Sequence, residues 1–325
     1  MAVPVWKTWT ALGIVYVVWG STYLAISYAV DGLPPLLTAA GRFLVSALVL
    51  GAFVAVRRGS GPFRATRRQW LGAGAVGLLL LLGGNGAVML AEDAHLPSGL
   101  TALLVAGVPL FVVALRWLLR DRPTPRTLLG VGIGFVGLAV LLLPGSRPAG
   151  VSLGAAATVV VGSLLWSTGS VLAGQLELPK DPLVVTIGEM VGGAAGLALV
   201  GAARGEHLTA SGAGPRAWLA LAYLVVFGSV IAFTAYSWLL QTAPVSQAAT
   251  YAYVNPVVAV GLGALVAGER VTATSLVGGL VTLLAVYVVV TEEGRRRRRV
   301  TAVQATSPEP YVPTDRQGRL RSSAT

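Results

Sequence analysis

Apolar residues fill this chain in long runs, and a short segment with proline, glycine or charge separates each run from the next. A helix needs about 20 apolar residues to cross a hydrocarbon layer of roughly 30 Å, and ten runs reach that length. The pattern therefore predicts ten membrane-spanning helices, near residues 9–30, 36–56, 70–91, 97–119, 126–144, 152–173, 183–203, 216–241, 245–267 and 273–291.

The second half of the chain repeats the first. A shift of 147 residues places Pro244 on Pro97 and Trp166 on Trp19. Each copy holds five runs, so the second copy must cross the membrane in the opposite sense to the first. The sequence thus predicts an all-α integral membrane fold of two inverted five-helix repeats, at residues 9–144 and 152–291. Such repeats are typical of secondary transporters, which bind their substrate near the middle of the membrane.

Composition supports a membrane protein and excludes several kinds of chemistry. Hydrophobic residues make up 55% of the chain and charged residues 11%, which leaves too little polar surface for a water-soluble globule. Cysteine is absent, and His95 and His207 both fall in predicted loops. We therefore predict no metal site and no cofactor. A membrane-embedded enzyme or a scaffold is a minor alternative, because catalytic clusters and nucleotide-binding motifs are missing and because charges lie at membrane depth.

The distribution of positive charge along the chain indicates its orientation in the membrane. The net charge is +11, but the arginines form short clusters between apolar runs rather than one polar face, so we predict no nucleic-acid partner. With the N-terminus inside, sixteen Lys and Arg residues of the loops and span ends fall on the cytoplasmic side and four on the other. This asymmetry predicts that both termini are cytoplasmic in a multi-pass cell membrane protein.

The last predicted span is followed by a polar segment. Residues 292–325 have no apolar periodicity, and we predict a disordered cytoplasmic tail there. Its first part carries Arg295–Arg299, which we expect to contact anionic lipid head groups.

Two charged residues at equivalent places of the repeats lie inside predicted spans. Arg42 and Glu189 each follow a helix-opening proline by seven residues, which is about 10 Å of helix rise. Charges at membrane depth are costly and mark functional sites. Their opposite signs suggest that a zwitterion binds between them, and Glu189 is also our candidate for proton coupling. Snorkelling of Arg42 and an interhelical hydrogen bond of a protonated Glu189 are the structural alternatives.

Aromatic and polar side chains at membrane depth complete the predicted substrate site. Large rings supply apolar contact for an organic solute, and a few polar groups fix its orientation. Packing and interhelical hydrogen bonding are the alternative roles of each residue. Besides the two charged residues, the predicted substrate-binding residues are Trp19, Tyr23, Asn85, Trp166, Tyr236, Tyr251 and Asn255.

Several stretches resemble one known family. WGSTYLA, PPLLTAAGRFL, NGAVMLAEDAHLPSGLTALLVAGVPLF and TYAYVNPVVAVGLGALVAGERVTATSLVGG are similar to the EamA-type drug/metabolite transporters, and AEDAHLPSG is especially similar to the YedA-like exporters among them. The resemblance implies ten helices, cytoplasmic termini, a central cavity and export of small metabolites without ATP. It does not imply a particular substrate. The family has a Glu-Arg pair in the short corner that joins the last two spans of each repeat. Glu269-Arg270 keeps this pair, whereas the first repeat has Asp121 in place of the glutamate. We expect both corner pairs to hold the adjoining helix ends in place.

Two transport mechanisms remain open at this point. The first is a secondary exporter of amino acids or related or toxic compounds, with proton antiport through Glu189. The second is an uncoupled facilitator of the same fold. The sequence leaves the substrate and the oligomeric state undecided.

Overall fold

Ten helices make up the core of the fold in a computed structural model, which describes residues 5–119, 122–143, 152–207, 212–242 and 250–306. Within those ranges the regular structure is entirely helical. The helices are α1 (Val5–Ala29), α2 (Pro35–Arg58), α3 (Arg67–Asp93), α4 (Ser98–Leu118), α5 (Pro125–Leu142), α6 (Leu153–Ala173), α7 (Pro182–Ala203), α8 (Pro215–Tyr223, Leu224–Ile231 and Ala232–Thr242), α9 (Tyr251–Val266) and α10 (Ala273–Thr306). A short 3₁₀ turn, Gly61–Phe63, joins α2 to α3.

Each predicted span corresponds to one of these helices. In the described ranges nine helices are long and apolar enough to cross a membrane, and α9 is shorter, with 16 residues. The prediction starts that span at residue 245, and residues 243–249 lie outside the described ranges. The fold is therefore the predicted all-helical integral membrane fold.

The segment after the last span differs from the prediction. The sequence predicts a disordered tail from residue 292, but α10 continues to Thr306. Glu292 and Glu293 stabilise this continuation, because they pair with Arg295 and with Arg116 of α4 at 2.8 and 3.0 Å. The predicted tail is thus corrected for residues 292–306, and residues 307–325 lie outside the described ranges.

The helix starts follow from local sequence chemistry. Four helices open with a proline in the first turn, where the missing N–H needs no partner; these are Pro35, Pro125, Pro182 and Pro215. Four starts, including those of α5 and α7, are capped by a side chain that accepts a hydrogen bond from the first-turn backbone; the caps are Thr66, Thr124, Ser152 and Asp181.

Helix packing has the symmetry that a two-fold repeat requires. Helix α5 packs on α10, α2 packs on α7 and α4 packs on α9, so each of these helices meets its own repeat equivalent. Other large contacts come in exchanged pairs: α1 with α9 and α6 with α4, α3 with α7 and α8 with α2, and α3 with α6 and α8 with α1. This exchange shows that the two halves meet in an interface with two-fold symmetry.

Both halves also carry a π-helical segment at the same place. In α3 the segment is Leu78–Asn85, and in α8 it is Leu224–Ile231, within one residue of the position that the 147-residue shift gives. A π-helical turn holds more residues than an α-helical turn and often marks a functional site. The α3 segment lines the central cavity with Gly84 and Asn85, and the α8 segment holds the lining residues Trp19 and Arg42 through Gly228 and Ser229.

Helix α4 is interrupted at Ala106 and Gly107, between Ser98–Val105 and Val108–Leu118. Pro109 explains the break, because its ring disfavours the helical conformation of the preceding turn and its nitrogen cannot donate a hydrogen bond. The interrupted backbone lines the cavity, which is where a membrane protein tolerates non-helical backbone.

Candidate functional site

A cavity of about 150 Å³ lies between the two repeats. Helices α1, α2, α3 and α4 of the first half and α6, α8 and α9 of the second half contribute to its wall. Most of the lining is apolar. Seven of the nine predicted substrate-binding residues line it: Trp19, Tyr23, Arg42, Asn85, Trp166, Tyr251 and Asn255.

Trp19 is the centre of an aromatic cluster on one side of the cavity. Its ring centroid lies 5.2 Å from that of Phe233 and 5.2 Å from that of Tyr251. Tyr236 lies 5.0 Å from Trp19 but does not reach the cavity surface. The Trp19 Nε1 donates a hydrogen bond to the Gly228 carbonyl at 3.1 Å, in the π-helical segment of α8. The indole is therefore fixed in orientation, as a binding wall requires.

Arg42 is the only cationic residue in the cavity wall as the described ranges define it. Its side chain is 4% exposed, and its Nε donates to the Ser229 Oγ at 3.0 Å. Its Nη1 is buried and has no hydrogen-bond partner among the described residues, and no carboxylate pairs with it there. An unpaired buried guanidinium is costly unless a ligand supplies the missing acceptor.

Ser163 of α6 supplies a second unpartnered polar atom in the wall. Its Oγ is buried and makes no hydrogen bond in the described part of the chain. One turn further along α6, Trp166 packs against Gly84, where a Cβ atom would lie 2.6 Å from the indole. A glycine at position 84 thus lets the Trp166 ring lie against α3 at the cavity edge.

Asn255 fixes α9 to α1 beside the cavity. When the Asn255 amide is oriented so that its oxygen and its nitrogen both have suitable neighbours, the nitrogen donates to the Tyr16 and Tyr251 carbonyls at 3.3 Å each. The Tyr16 hydroxyl also hydrogen bonds to Thr250. Much of the Asn255 amide is therefore used in interhelical bonding.

Glu189 lies on α7, and α7 contributes nothing to the cavity wall. The Glu189 backbone packs against Gly77 of α3, and the Glu189 carboxyl group lies within electrostatic range of Tyr236. The predicted pair of Arg42 and Glu189 is thus not brought together on one cavity surface.

Hydropathy and repeat position do not single out several residues that the structure places in or near the site. Ser163 and Phe233 line the cavity, and Ser229 fixes Arg42. Glu92, which follows the predicted span 70–91, is buried. Phe233 and Ser229 fall in a uniformly apolar run, whose hydropathy does not reveal which face points inward.

The predicted corner lock at Glu269 is confirmed. Its carboxylate accepts hydrogen bonds from the Ser98 N–H and Oγ, both at 2.8 Å, and from the Gly99 N–H at 3.0 Å. These groups form the start of α4, so Glu269 of the second half caps a helix of the first half. Asp121, the equivalent residue, lies outside the described ranges.

No group of three or more histidine, aspartate and glutamate side chains in the described ranges is arranged to hold a metal ion. The lining chemistry is instead that of a small organic solute, with rings, an amide, a hydroxyl and a guanidinium.

Comparison with known proteins gives one consistent picture. A sequence profile of the EamA-like transporter family matches residues 7–143 and again residues 153–291. The uncharacterized inner membrane transporter YedA of Escherichia coli strain K12 is 38% identical over 262 residues, which cover 81% of this chain and 83% of that protein.

More distant relatives and one solved structure agree with this match. A probable amino-acid metabolite efflux pump of Salmonella typhimurium is 24% identical over 302 residues, which cover 89% of this chain and 96% of that protein. A solved structure named "Crystal structure of protein" superposes with a TM-score of 0.59 at 21% identity, and the match covers 89% of this chain and 98% of that one. The superposition supports the fold.

Proposed function

The chain belongs to the EamA-like transporter family, and from this premise we propose that it exports small metabolites such as amino acids by alternating access and without ATP. The family makes it a membrane transporter rather than an enzyme. The finer proposal is supported by the cavity chemistry and by the relative named as an amino-acid metabolite efflux pump. We propose the inner membrane as its location, as in the YedA relative.

The observation that carries the proposal is the unpaired guanidinium of Arg42 in the cavity wall. A solute with a carboxylate would supply the acceptor that Nη1 lacks, in a charge-assisted hydrogen bond. The Ser163 Oγ offers a second anchor, and the rings of Trp19 and Trp166 offer apolar contact. The cavity volume of about 150 Å³ suits a solute of amino-acid size.

Transport by the reconstituted protein tests this role of Arg42. Proteoliposomes loaded with unlabelled amino acids should take up labelled amino acid by counterflow. Loss of a hydrogen bond to a charged group costs about 1.5–3 kcal/mol, so Arg42→Ala should weaken apparent affinity by about ten- to hundredfold. Arg42→Lys keeps the charge but loses the planar fork, and it should recover little.

Arg57→Ala is the matched control, because Arg57 lies on the same helix and is exposed at its end. It should transport as the unaltered protein does. Equal apparent affinities of Arg42→Ala and Arg57→Ala would contradict the role of Arg42. A growth screen of overexpressing cells against amino acids, analogues and toxic compounds would identify the substrate.

Proton antiport through Glu189 is the coupling mechanism that we propose. In the described state Glu189 lies behind the cavity, so it would exchange its proton through movement of α7 rather than by touching the solute. Glu189→Gln should abolish transport driven by a pH gradient and spare downhill exchange. Unchanged gradient-driven transport would contradict the mechanism.

The uncoupled facilitator is the alternative, and the position of Glu189 outside the cavity wall favours it. An imposed pH gradient would then leave the accumulation of labelled solute unchanged in the unaltered protein. We also propose that both termini are cytoplasmic and that Arg295–Arg299, at the end of the last span, contact anionic lipid head groups.

A further inference from the structure

Glu92 is a buried carboxyl group that the proposed binding site does not use. It lies in the last turn of α3, and its side chain is 3% exposed. Both carboxyl oxygens are buried and have no hydrogen-bond partner in the described part of the chain. The next residues, Asp93 to His95, are exposed. Glu92 is therefore buried one residue away from the surface, without a hydrogen-bond partner among the described residues.

The groups around Glu92 do not neutralise it. Tyr23 of α1 and Glu269 at the end of α9 lie within electrostatic range, and both are acids. Helix α6, which packs against this turn, carries no ionisable residue, and α4 carries only Arg116 near its opposite end. Arg42 of α2 donates its Nε to Ser229. Asp93 and His95 share the corner with Glu92 but point to the exposed surface.

The two carboxyl groups have opposite surroundings. Glu269 receives three hydrogen bonds from the start of α4, which stabilise it as a carboxylate. Glu92 receives none among the described residues. An unpaired buried carboxylate beside another negative charge is unfavourable by several kcal/mol, whereas a protonated carboxyl is neutral. The arrangement thus assigns the negative charge to Glu269 and a proton to Glu92.

Glu92 also lies between the cavity and the surface. Asn85 and Val88 line the cavity, and Glu92 follows Val88 by one helical turn on the same face of α3. Tyr23, which interacts electrostatically with Glu92, lines the cavity as well. Ser98 also lies at this end of the cavity. It is fully buried, and its Oγ donates a hydrogen bond to Glu269 of the other repeat. Opening this end would separate the repeats and expose Glu92 to water.

We propose that Glu92 is a proton-binding site at the closed end of the cavity. It keeps its proton while Glu269 holds the start of α4, and it releases the proton to water when this end opens. The opening step rests on the proposed alternating access, but the bound proton does not, and it can be measured without a substrate.

Infrared spectroscopy of the reconstituted full-length protein tests for the proton directly. At neutral pH the unaltered protein should show the C=O stretching band of a protonated carboxyl group, and Glu92→Gln should lose part of this band. Asp93→Asn, the neighbouring exposed acid, is the matched control and should keep the whole band. An intact band in Glu92→Gln would overturn the proposal. If Glu92→Gln does not insert, Glu92→Asp keeps the carboxyl group and should shift the band, and an unshifted band would likewise overturn it.

Counterflow of labelled amino acids at several pH values tests the release of the proton. Exchange by the unaltered protein and by Asp93→Asn should depend on pH, and exchange by Glu92→Gln should show a weaker dependence at equal protein abundance, because the proposed proton carrier Glu189 is still present. The same pH dependence in Glu92→Gln would contradict proton release at this site. If the unaltered protein exchanges no amino acid, the proposed function fails, and the infrared band alone decides whether Glu92 binds a proton.

Discussion

The cap at Glu269 ties the two repeats together, and a nearby glycine offers a way to remove it. A methyl group on Gly263 would overlap the Oε2 atom of Glu269 and lie 3.1 Å from the Ser98 Oγ. Because the overlapping atom ends a flexible side chain, Glu269 can move aside, and it then leaves its three donors. We therefore expect Gly263→Ala to act through loss of the cap rather than through a steric clash.

The size of the effect follows from the bonds that are lost. Hydrogen bonds to a charged group contribute about 1.5–3 kcal/mol, and a helix cap about 0.5–2 kcal/mol. Three bonds to one carboxylate act as a unit and do not add up. If the whole cap contributes about 1.4–2.8 kcal/mol, the population of molecules with this end of the cavity open should rise about ten- to hundredfold when the cap is lost.

Thiol labelling measures that population, because the chain has no cysteine and a single introduced one is unique. Leu100 is 5% exposed and lies beside Glu269, so Leu100→Cys should react slowly with a maleimide until this end opens. Adding Gly263→Ala should raise the labelling rate about ten- to hundredfold. Glu269→Ala should do the same, and the two changes together should add nothing further.

Gly261→Ala is the control for this experiment. Gly261 lies on the same helix, and no atom lies within 4 Å of the place where its Cβ would be. Both substitutions gain the same helix propensity of about 1 kcal/mol, so any difference between them reports the cap. Equal labelling rates in the two variants, or additive effects of Gly263→Ala and Glu269→Ala, would refute the reasoning.

Three further predictions concern topology, the tail and helix packing. Reporter fusions after Arg299 should be active only as cytoplasmic reporters, and an extracytoplasmic signal would contradict the proposed orientation. Deletion of residues 307–325 should leave insertion and transport unchanged, and a loss of transport at normal abundance would show a regulatory tail. Gly137→Ala should lower thermal stability in detergent, because its methyl group would meet the Thr282 backbone nitrogen at 2.8 Å. Gly132→Ala places its methyl group in open space and should not lower thermal stability. Equal melting temperatures of the two variants would contradict the tight packing of α5 on α10.

The sequence predicts the number, order and approximate limits of the helices because each span depends only on local hydropathy. The repeat adds the equivalence of α2 with α7 and of α5 with α10. The rotation of each helix about its axis is not predictable in this way, because most of these helices are apolar on every face. Rotation decides which residues line the cavity, and for that reason the sequence does not select Ser163 and predicts that Glu189 shares a substrate site with Arg42.

Burial near a helix end is equally hard to read from sequence. Glu92 and Asp93 are neighbours of the same charge, and only the tertiary fold buries the first and exposes the second. The extent of α10 depends on Arg116 of another helix, which pairs with Glu293 across 177 positions of sequence. Trp19, in contrast, is recognisable from sequence because a tryptophan in the middle of the membrane is unusual outside a binding wall or a tight packing site.

The π-helical segment of α3 gives single-residue length changes an unusual effect. Removing one residue from Leu78–Asn85 would restore α-helical geometry, whereas removing one elsewhere in α3 would break the register of an already regular helix. Each residue turns a regular helix by about 100°, so a deletion elsewhere in α3 would turn the side chains on one side of it relative to those on the other. A deletion inside the π-helical segment would instead remove the extra residue of the wide turn and keep the cavity face at Val88 and Glu92 in place. The segment is therefore the part of this span that can lose one residue with its lining intact.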